Sequence, residues 1–464
     1  MKKVSVDYGD RKQEIDVPED SIIAQYEDPI FLSDPEAAVR ASIRSPQGLP
    51  PLRELAKPGM KVAIGFDDIT RPALPAQTII PIIIEELNDA GIPDRDIRLI
   101  SATSNHRKNT RTELANHLGP SIFNRFWKFG NILNHDCSDP AQLSGYGVTK
   151  FGRIVEHNKV FLEADLQIYQ GNVSAQPWGG FTGTGVAIGL ASTRSIAAHH
   201  SFYNVPDPNK RAKKFVGESI PGVKDDITEH LEQITGKSTF YVNAVSGMGG
   251  KLAGVFAGHA KSISPPAWEM AKKNCTIKVP QADVLIVGLP SGYSYGSADN
   301  TLIAAVGALV PLRLCPDKPV LREGGVVIAV SPTRGQIDPK KHPSYAEAIA
   351  LYGKHHSLRE LVDYEDEFNG RPDFQLAYST AFGYPPLHAF WILYELEYGL
   401  QRAGAVIMAG TSNPGAFRQL GLTCASNFDA AWKLAKKYVG ENPVTVVAPT
   451  FWSRPRIKFL VEAA

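Results

Sequence analysis

Residues 61–72 read KVAIGFDDITRP, an apolar run that turns into two carboxylates, a hydroxyl and a guanidinium before a proline. A short apolar run bounded in this way is typical of a buried strand. Residues 75–90 have the apolar spacing of a crossover helix that ends at Gly91, and residues 97–103 (IRLISAT) form the next predicted strand. Strand, helix and strand in this order predict a parallel sheet covered by helices.

The same alternation continues in two series along the 464 residues of the chain. A further strand of the first series is predicted at residues 164–170. The second series has predicted strands at residues 282–290, 325–331, 403–410 and 443–449, with helical stretches such as residues 427–438. The length is about three times the common domain size of roughly 150 residues. We therefore predict an α/β fold of two α/β domains with mainly parallel sheets, over residues 1–274 and 275–464, with a cleft between them.

Composition and charge exclude several classes of function. The formal net charge is +1 and basic runs such as residues 210–214 (KRAKK) are short, so nothing favours a nucleic-acid partner. No run approaches the roughly 18 apolar residues of a membrane span, and the charged start MKKVSVDYGD is unlike a signal peptide. The four cysteines lie far apart without a CxxC pair, which predicts reduced thiols. We expect a cytoplasmic protein, of an oligomeric state that the sequence leaves open.

The residues after the first strand have the chemistry of an anion site. Asp67, Asp68, Thr70 and Arg71 come at the carboxyl end of a predicted parallel strand, the edge where α/β sheets bind ligands. Arg71 could hold a carboxylate or phosphate by a two-pronged hydrogen bond, with Asp68 orienting it. A solvated turn closed by Pro72 is the structural alternative.

The next predicted strand ends in a titratable group. His106 and Arg107 follow residues 97–103 and are expected at the same sheet edge, which makes His106 a candidate general acid or base. Farther along, His135 and Asp136 could add an imidazole–carboxylate pair, although a plain loop is the preferred interpretation.

A glycine-rich passage, residues 171–201, follows the third strand. Gly183 and Thr184 lie in it, but the glycine spacing does not match the G-x-G-x-x-G fingerprint of a dinucleotide site. Close approach of the backbone to a ligand is the better interpretation. His199 and His200 end the passage on a predicted helix, where adjacent side chains point about 100° apart, so only one of them is expected to bind a given metal ion.

Residues 238–259 contain a second glycine cluster. Strand-like alternation flanks it, and Lys251 is followed by Leu252 rather than by the hydroxyl residue of a phosphate loop. We predict a β-hairpin here rather than a phosphate-binding loop.

Five of these segments resemble, in the same order, motifs of the nickel-pincer lactate racemase family. Residues 68–72 match that family's Asp-x-Thr-Arg-Pro motif, and residues 106–107 match its His-Arg pair. Residues 158–166 and 180–184 match a strand motif and a Gly-Phe-Ser-Gly-Gly loop, and residues 196–201 match the segment that carries the nickel-ligand histidine. The resemblance implies a lactate racemase-like fold with the catalytic domain at the N-terminal side.

The resemblance also implies a chemistry, the inversion of a 2-hydroxy acid through a hydride passed to and from a nickel-bound pyridinium nucleotide. It places the nickel ligand at His200 and one of two proton-exchanging histidines at His106. The second such position falls on Gln176, and glutamine cannot exchange a proton at neutral pH. The family lysine that tethers the cofactor through a thioamide falls near Val186, and a second family lysine falls near Val306, so this chain lacks both amines.

We therefore expect a divergent lactate racemase-like isomerase, a racemase or epimerase of a small anionic 2-hydroxy acid. It would use nickel or a nickel-pincer nucleotide held non-covalently, or another hydride carrier, with no covalent lysine adduct. A cofactor-free small-carboxylate-binding protein, or an enzyme of different chemistry that reuses the cleft, is the alternative. The residues expected at the site are catalytic His106 and Gln176, metal-binding His200, and substrate- or cofactor-binding Asp68, Thr70, Arg71, Arg107, Gly183 and Thr184.

Overall fold

The computed structural model describes residues 1–177, 180–203, 220–293, 295–315 and 317–462. Within them the strands, numbered in chain order, are β1 Lys2–Gly9, β2 Arg11–Val17, β3 Ile22–Ile23, β4 Val62–Asp67, β5 Ile97–Ala102, β6 Ile132–Asn134, β7 Leu143–Val148, β8 Ile154–Asn158, β9 Leu166–Val173, β10 Phe240–Ser246, β11 Leu252–Gly258, β12 Thr276–Val279, β13 Ala282–Pro290, β14 Gly292–Tyr293, β15 Gly296–Ser297, β16 Leu321–Val330, β17 Ala405–Ala409, β18 Thr423–Ala425, β19 Thr445–Ala448 and β20 Lys458–Val461. The α-helices are Pro35–Arg44, Leu52–Leu55, Ala73–Asp89, Arg111–Leu118, Pro120–Trp127, Lys159–Glu163, Val186–Gly189, Thr193–His200, Ile220–Thr235, Ala260–Cys275, Thr301–Leu309, Tyr345–His355, Glu365–Gly370, Pro372–Ala381, His388–Tyr394, Glu397–Arg402, Pro414–Arg418 and Phe428–Val439.

The first sheet has the strand order β11-β10-β9-β4-β5-β6. Its strands β6, β5, β4, β9 and β10 run parallel to one another, and β11 is antiparallel to β10. The helix Ala73–Asp89 crosses from β4 to β5 and buries Ile79 and Ile83 in one core with Ile64 of the sheet. It is followed by Gly91, which has a positive φ of 87°. These elements confirm the predicted parallel sheet and its crossover helix.

The second sheet has the strand order β18-β17-β16-β13-β1-β2, and β19 pairs with β13 and β3. Its strands β13, β16, β17 and β19 lie where the second series is predicted. The first residues of the chain also belong to this sheet, because β1 forms a hairpin with β2 and pairs Gly9 with Pro290 of β13. Val6 of β1 packs in one core with Ile286 of β13. The predicted domains, residues 1–274 and 275–464, stay a prediction; β1 and β2 lie within the first of these ranges and pair with strands of the second sheet.

The second glycine cluster lies in the predicted hairpin. β10 and β11 pair antiparallel, and the short turn Met248–Gly250 joins them, with Gly249 at a φ of 65°. Lys251 precedes β11 directly and does not begin a helix. The hairpin prediction is confirmed, and the phosphate-loop alternative is excluded.

A shared apolar core joins the two sheets. It contains Val173 and Phe181 from the first half of the chain together with Leu302, Trp391 and Phe451 from the second half. Because side chains from both halves are buried together, the elements that follow β4, β5 and β9 are covered by elements of the second half. The four cysteines are free thiols, and three of them are buried. No helix within the described ranges is long and apolar enough to cross a membrane.

Candidate functional site

A cavity of about 120 Å³ lies where the carboxyl ends of β4, β5 and β9 meet. The loop after β5 contributes His106 to the cavity. The passage after β9 contributes residues 180–189, called the glycine loop below, and the helix Thr193–His200 contributes its last two residues. Seven of the nine site residues expected from the sequence line this cavity, namely Asp68, Arg71, His106, Gln176, Gly183, Thr184 and His200. Parallel pairing of the strands therefore gathers side chains that are more than 100 residues apart in sequence.

Asp68 and His106 form a buried carboxylate–imidazole pair. Nδ1 of His106 lies 2.8 Å from one carboxylate oxygen of Asp68, and the other oxygen accepts hydrogen bonds from the hydroxyl and the backbone N–H of Thr70. Burial would raise the pKa of Asp68, but the charge and hydrogen bond of His106, with a contribution from Arg71, lower this pKa to about 2. Asp68 is thus an anion that fixes the His106 ring and leaves Nε2 for a ligand.

Arg71 is oriented through Thr70. Its guanidinium donates a hydrogen bond to the Thr70 hydroxyl at 2.9 Å, while the carboxylate of Asp68 binds Thr70 and His106. The predicted direct orientation of Arg71 by Asp68 is therefore replaced by an indirect one, because the imidazole occupies the carboxylate oxygen that a guanidinium would need. Thr70 lines two neighbouring cavities rather than the central one, and its role at the site is to connect these two side chains.

Asp67 is a second buried carboxyl group beside Arg71. It accepts hydrogen bonds from the Tyr169 hydroxyl at 2.8 Å and from the backbone N–H of Asn172 at 2.7 Å. Burial raises the pKa of Asp67, although Arg71 opposes the shift. The two consecutive carboxyl groups therefore differ in their environments, and Asp68 is the one held firmly as an anion.

Arg107 is turned away from the central cavity. Two of its nitrogens lie 2.9 Å and 2.5 Å from the two carboxylate oxygens of Glu113, in the fork geometry of a paired guanidinium. Together with Thr70 and Tyr384 it lines a neighbouring cavity of about 220 Å³. The structure therefore places Arg107 in this second cavity, which Asp68, Thr70 and His106 also line, and not in the central one.

The suggested pair of His135 and Asp136 does not form. Nε2 of His135 lies 2.9 Å from the backbone carbonyl of Ala191, and burial lowers the pKa of this imidazole to about 4. Asp136 forms an ion pair with Lys108. The loop interpretation preferred for these residues agrees with these contacts.

The glycine loop borders the cavity because it lies very close to the sheet. A Cβ atom on Gly183, at a φ of 125°, would come 2.8 Å from the side-chain amide of Asn243, and one on Gly185 would overlap the Tyr169 hydroxyl. The glycines were predicted to let a ligand approach the backbone closely. In the structure, the side chains of Asn243 and Tyr169 already make this close approach. Opposite the loop, Ser104 has a positive φ of 53° and donates its backbone N–H to Gly189 at 2.9 Å.

The two consecutive histidines both reach the cavity. Their Nδ1 atoms lie 3.2 Å apart and their ring centroids 4.6 Å apart, at the last turn of the helix Thr193–His200. The amide of Gln176, on the wall of the same cavity, donates a hydrogen bond to the Phe181 carbonyl at 3.2 Å. In the part of the chain that the structure describes, no three His, Cys, Asp or Glu side chains are grouped as metal ligands. A metal ion at His200 would therefore need most of its donors from a cofactor or substrate.

Sequence reasoning missed several residues of the site. Lys224, on the helix Ile220–Thr235, and Tyr295 both line the central cavity, and the Tyr295 ring lies 5.2 Å from the His106 ring. Glu395 and Arg456 line an adjoining cavity of about 50 Å³, and burial raises the pKa of Glu395 to about 7. A signal existed for Lys224 alone, since it is a charged residue beside the apolar positions of an amphipathic helix.

The two positions at which the resemblance requires a lysine are apolar and buried. Val186 is 3% exposed and shares a core with Leu190 and Val223. Val306 is 2% exposed and lines the adjoining cavity. A thioamide requires a primary amine, so neither position fits a covalent tether.

Comparison of the sequence with known proteins gives consistent matches. A model of the lactate racemase N-terminal domain matches residues 8–213. The lactate racemase of Lactiplantibacillus plantarum is 29% identical over 309 residues, which cover 65% of this chain and 67% of that protein. The lactate racemase of Thermoanaerobacterium thermosaccharolyticum is 24% identical over 341 residues, which cover 71% of this chain and 74% of that protein.

Comparison of the structure with solved structures shows which fold the chain has. The lactate racemase apoprotein from Thermoanaerobacterium thermosaccharolyticum matches with a TM-score of 0.72 at 21% identity, over 99% of this chain and 100% of that one. A protein of Thermotoga maritima matches with a TM-score of 0.57 at 16% identity, over 94% of this chain and 99% of that one. These matches confirm the predicted α/β fold.

Proposed function

Because the chain belongs to the lactate racemase family, we propose that it inverts a small 2-hydroxy acid as a racemase or epimerase. The observation that carries this proposal is the buried pair of Asp68 and His106 beside Arg71 in one cavity of about 120 Å³. The pair provides an acid/base group, the guanidinium provides an anion ligand, and the cavity has room for a small organic acid.

In this proposal Arg71 binds the substrate carboxylate. Its planar fork matches the two carboxylate oxygens, and the Thr70 hydroxyl orients it by accepting a hydrogen bond. The 2-hydroxyl group then faces His106, whose Nε2 takes the hydroxyl proton and returns it after inversion. Asp68 stabilises the imidazolium ion that forms between these two steps, because its lowered pKa keeps it ionised near neutral pH.

Inversion also needs a group that accepts a hydride from C2 and returns it to either face. A nickel-pincer nucleotide would supply this chemistry, with His200 as the proposed nickel ligand. Since Val186 and Val306 offer no amine, we propose that this carrier, or another one, is held without a covalent bond.

The test compares the protein purified alone with the protein co-expressed with the cofactor-making enzymes. Chiral chromatography would follow each enantiomer of lactate and of longer 2-hydroxy acids. Inversion should be absent in the protein purified alone, should appear after co-expression, and should be lost in His106→Asn. The matched control is His355→Asn, since His355 pairs with Glu360 away from the cavity.

The alternative function makes a different prediction in the same experiment. Without a primary amine at Val186, and with Gln176 in place of an acid/base group, the cleft could act as a cofactor-free carboxylate-binding site. If the co-expressed protein retains stoichiometric nickel but inverts none of the acids, while it still binds lactate through Arg71, the isomerase proposal is wrong.

A further inference from the structure

Lys224 is a buried amine on the wall of the central cavity. It is 8% exposed and enters from the helix Ile220–Thr235, whose Val223 and Ile227 pack in one core with Val186 of the glycine loop. Among the described residues no hydrogen bond or ion pair engages its amine. Its helix neighbour Asp226 is paired with Arg153 at 2.7 Å.

A buried ammonium group that makes no hydrogen bond or ion pair with the described residues is unfavourable, because it loses its hydration and the charges of Asp225 and Asp67 compensate only in part. Burial and the positive charge of Arg71 lower the pKa of Lys224 to about 8. At about pH 7.5, the neutral fraction of such an amine exceeds that of an ordinary lysine by roughly 200-fold. The site thus holds a nucleophilic nitrogen that the proposed racemisation does not use.

The neighbours of Lys224 define which electrophile fits. Arg71, the proposed anion ligand, and His106, the proposed acid/base group, line the same cavity. A 2-oxo acid carries a carboxylate for the first of these groups and an adjacent ketone or aldehyde carbon for the amine. We propose that Lys224 forms an imine with the carbonyl carbon of a small 2-oxo acid bound to Arg71.

The reaction is a redox-neutral condensation. The neutral Nζ of Lys224 attacks the carbonyl carbon, the carbonyl π bond breaks, and one proton passes from the nitrogen to the oxygen to give a carbinolamine. Protonated His106 then donates a proton to the departing hydroxyl group, water leaves as the C=N bond forms, and the second proton of the nitrogen returns to His106. Water reverses every step, so the adduct is lost when the ligand is removed.

This inference is independent of the proposed inversion, since it needs neither nickel nor a hydride carrier. The experiment uses the full chain purified alone, incubated with pyruvate or glyoxylate and with sodium cyanoborohydride, which reduces an imine to a stable secondary amine. With pyruvate, intact-mass analysis should show one added carboxyethyl group per chain, and peptide mapping should place it on Lys224. Acetone, which has a carbonyl but no carboxylate, should label at least about tenfold more slowly, because Arg71 cannot bind it.

Lys224→Arg keeps the positive charge and removes the nucleophile, so it should abolish this labelling. The matched control is Lys251→Arg, at an exposed position outside the cavity, which should label like the unmodified protein. Circular dichroism would establish that both variants are folded. Labelling spread evenly over surface lysines, or equal labelling in Lys224→Arg, would overturn the inference. Racemisation assays on the same samples are a separate readout, so either proposal can fail without the other.

Discussion

At the scale of single residues, the site depends on which hydrogen-bond partner each charged side chain takes. Asp68 and Arg71 are three positions apart, yet the Asp68 carboxylate pairs with His106 and Thr70. Among the described residues, the Arg71 guanidinium makes its side-chain hydrogen bond to the Thr70 hydroxyl alone. Arg107, one residue from the imidazole, is paired with Glu113 and lines the neighbouring cavity instead. Of the two predicted arginines, only Arg71 is therefore available to a ligand in this cavity.

Replacing Arg71 by alanine should weaken the binding of a small carboxylate such as lactate. The lost two-pronged contact corresponds to roughly 1.5–3 kcal/mol, or about a tenfold to hundredfold rise in Kd. Isothermal titration calorimetry of the purified chain would measure this change. The control is Arg95→Ala, at an exposed position away from the site, and an unchanged affinity in Arg71→Ala would show that the anion binds elsewhere.

Glu395 gives the protein a pH dependence of stability with a defined sign. Burial raises its pKa from 4.5 to about 7 in the folded state, against the opposing charges of Arg313 and Arg456. Between about pH 4.5 and 7 the folded state therefore binds more protons than the unfolded state, and the free energy of unfolding falls as the pH rises. The full effect above pH 7 is on the order of 3 kcal/mol.

Glu395→Gln should remove this dependence. The free energy of unfolding of the variant minus that of the unmodified protein should increase from pH 5 to pH 8. Urea unfolding at each pH would measure both values. Glu323→Gln, at an exposed position, is the control and should show no such trend. A stability difference between Glu395→Gln and the unmodified protein that is constant with pH would contradict the assignment.

The sequence alone identified the part of the site that follows strands directly. Asp68, Arg71 and His106 could be predicted because each comes at the carboxyl end of a recognisable strand of one parallel sheet. Lys224 and Tyr295 could not, because their approach to the cavity depends on how a helix and the second half of the chain pack over that sheet. No local pattern encodes such a contact.

At the scale of elements, the glycine loop is fitted to the strands beneath it. Gly185 lies against Tyr169 so closely that an added methyl group would overlap the tyrosine hydroxyl. Gly185→Ala should therefore destabilise the protein by roughly 1–3 kcal/mol, the usual cost of overpacking. Thermal or urea unfolding would measure it.

Gly145→Ala is the matched control for this substitution. Gly145 also has an ordinary φ, and an added Cβ there would meet open space. If both variants unfold alike, the loop has room to move away from Tyr169, and the tight packing does not limit its position.

The positions of the buried strands could be predicted from the sequence, but the strands with which they pair could not. Residues 61–66 and 282–290 have apolar runs that identified β4 and β13 almost to the residue. The strands β1 and β2 alternate clearly, but alternation indicates only that one face is buried and not against which sheet. Their assignment to the second sheet follows from a pairing between distant parts of the chain.

At the scale of the whole molecule, the absence of both lysines that the family resemblance implies means that a cofactor would have to be held without a covalent bond. We expect the intact mass of the denatured protein to equal that of the bare chain, even after co-expression with cofactor-making enzymes, because Val186 and its neighbours supply no primary amine. Native mass spectrometry with metal analysis of the same sample would detect a carrier held without a covalent bond. A covalent thioamide adduct, mapped to Lys224 or to any other lysine, would contradict this expectation.

The pairing of β1 with β13 has a consequence for the synthesis of the protein. At a translation rate of about 5–20 residues per second, the ribosome takes on the order of 15–60 seconds to advance from Gly9 to Pro290, its partner in the sheet. During that interval the hairpin of β1 and β2 has left the exit tunnel with its apolar side uncovered. The nascent chain must therefore keep this hairpin from aggregating until Pro290 has been made, and the second sheet is completed by strands that are synthesised far apart in time.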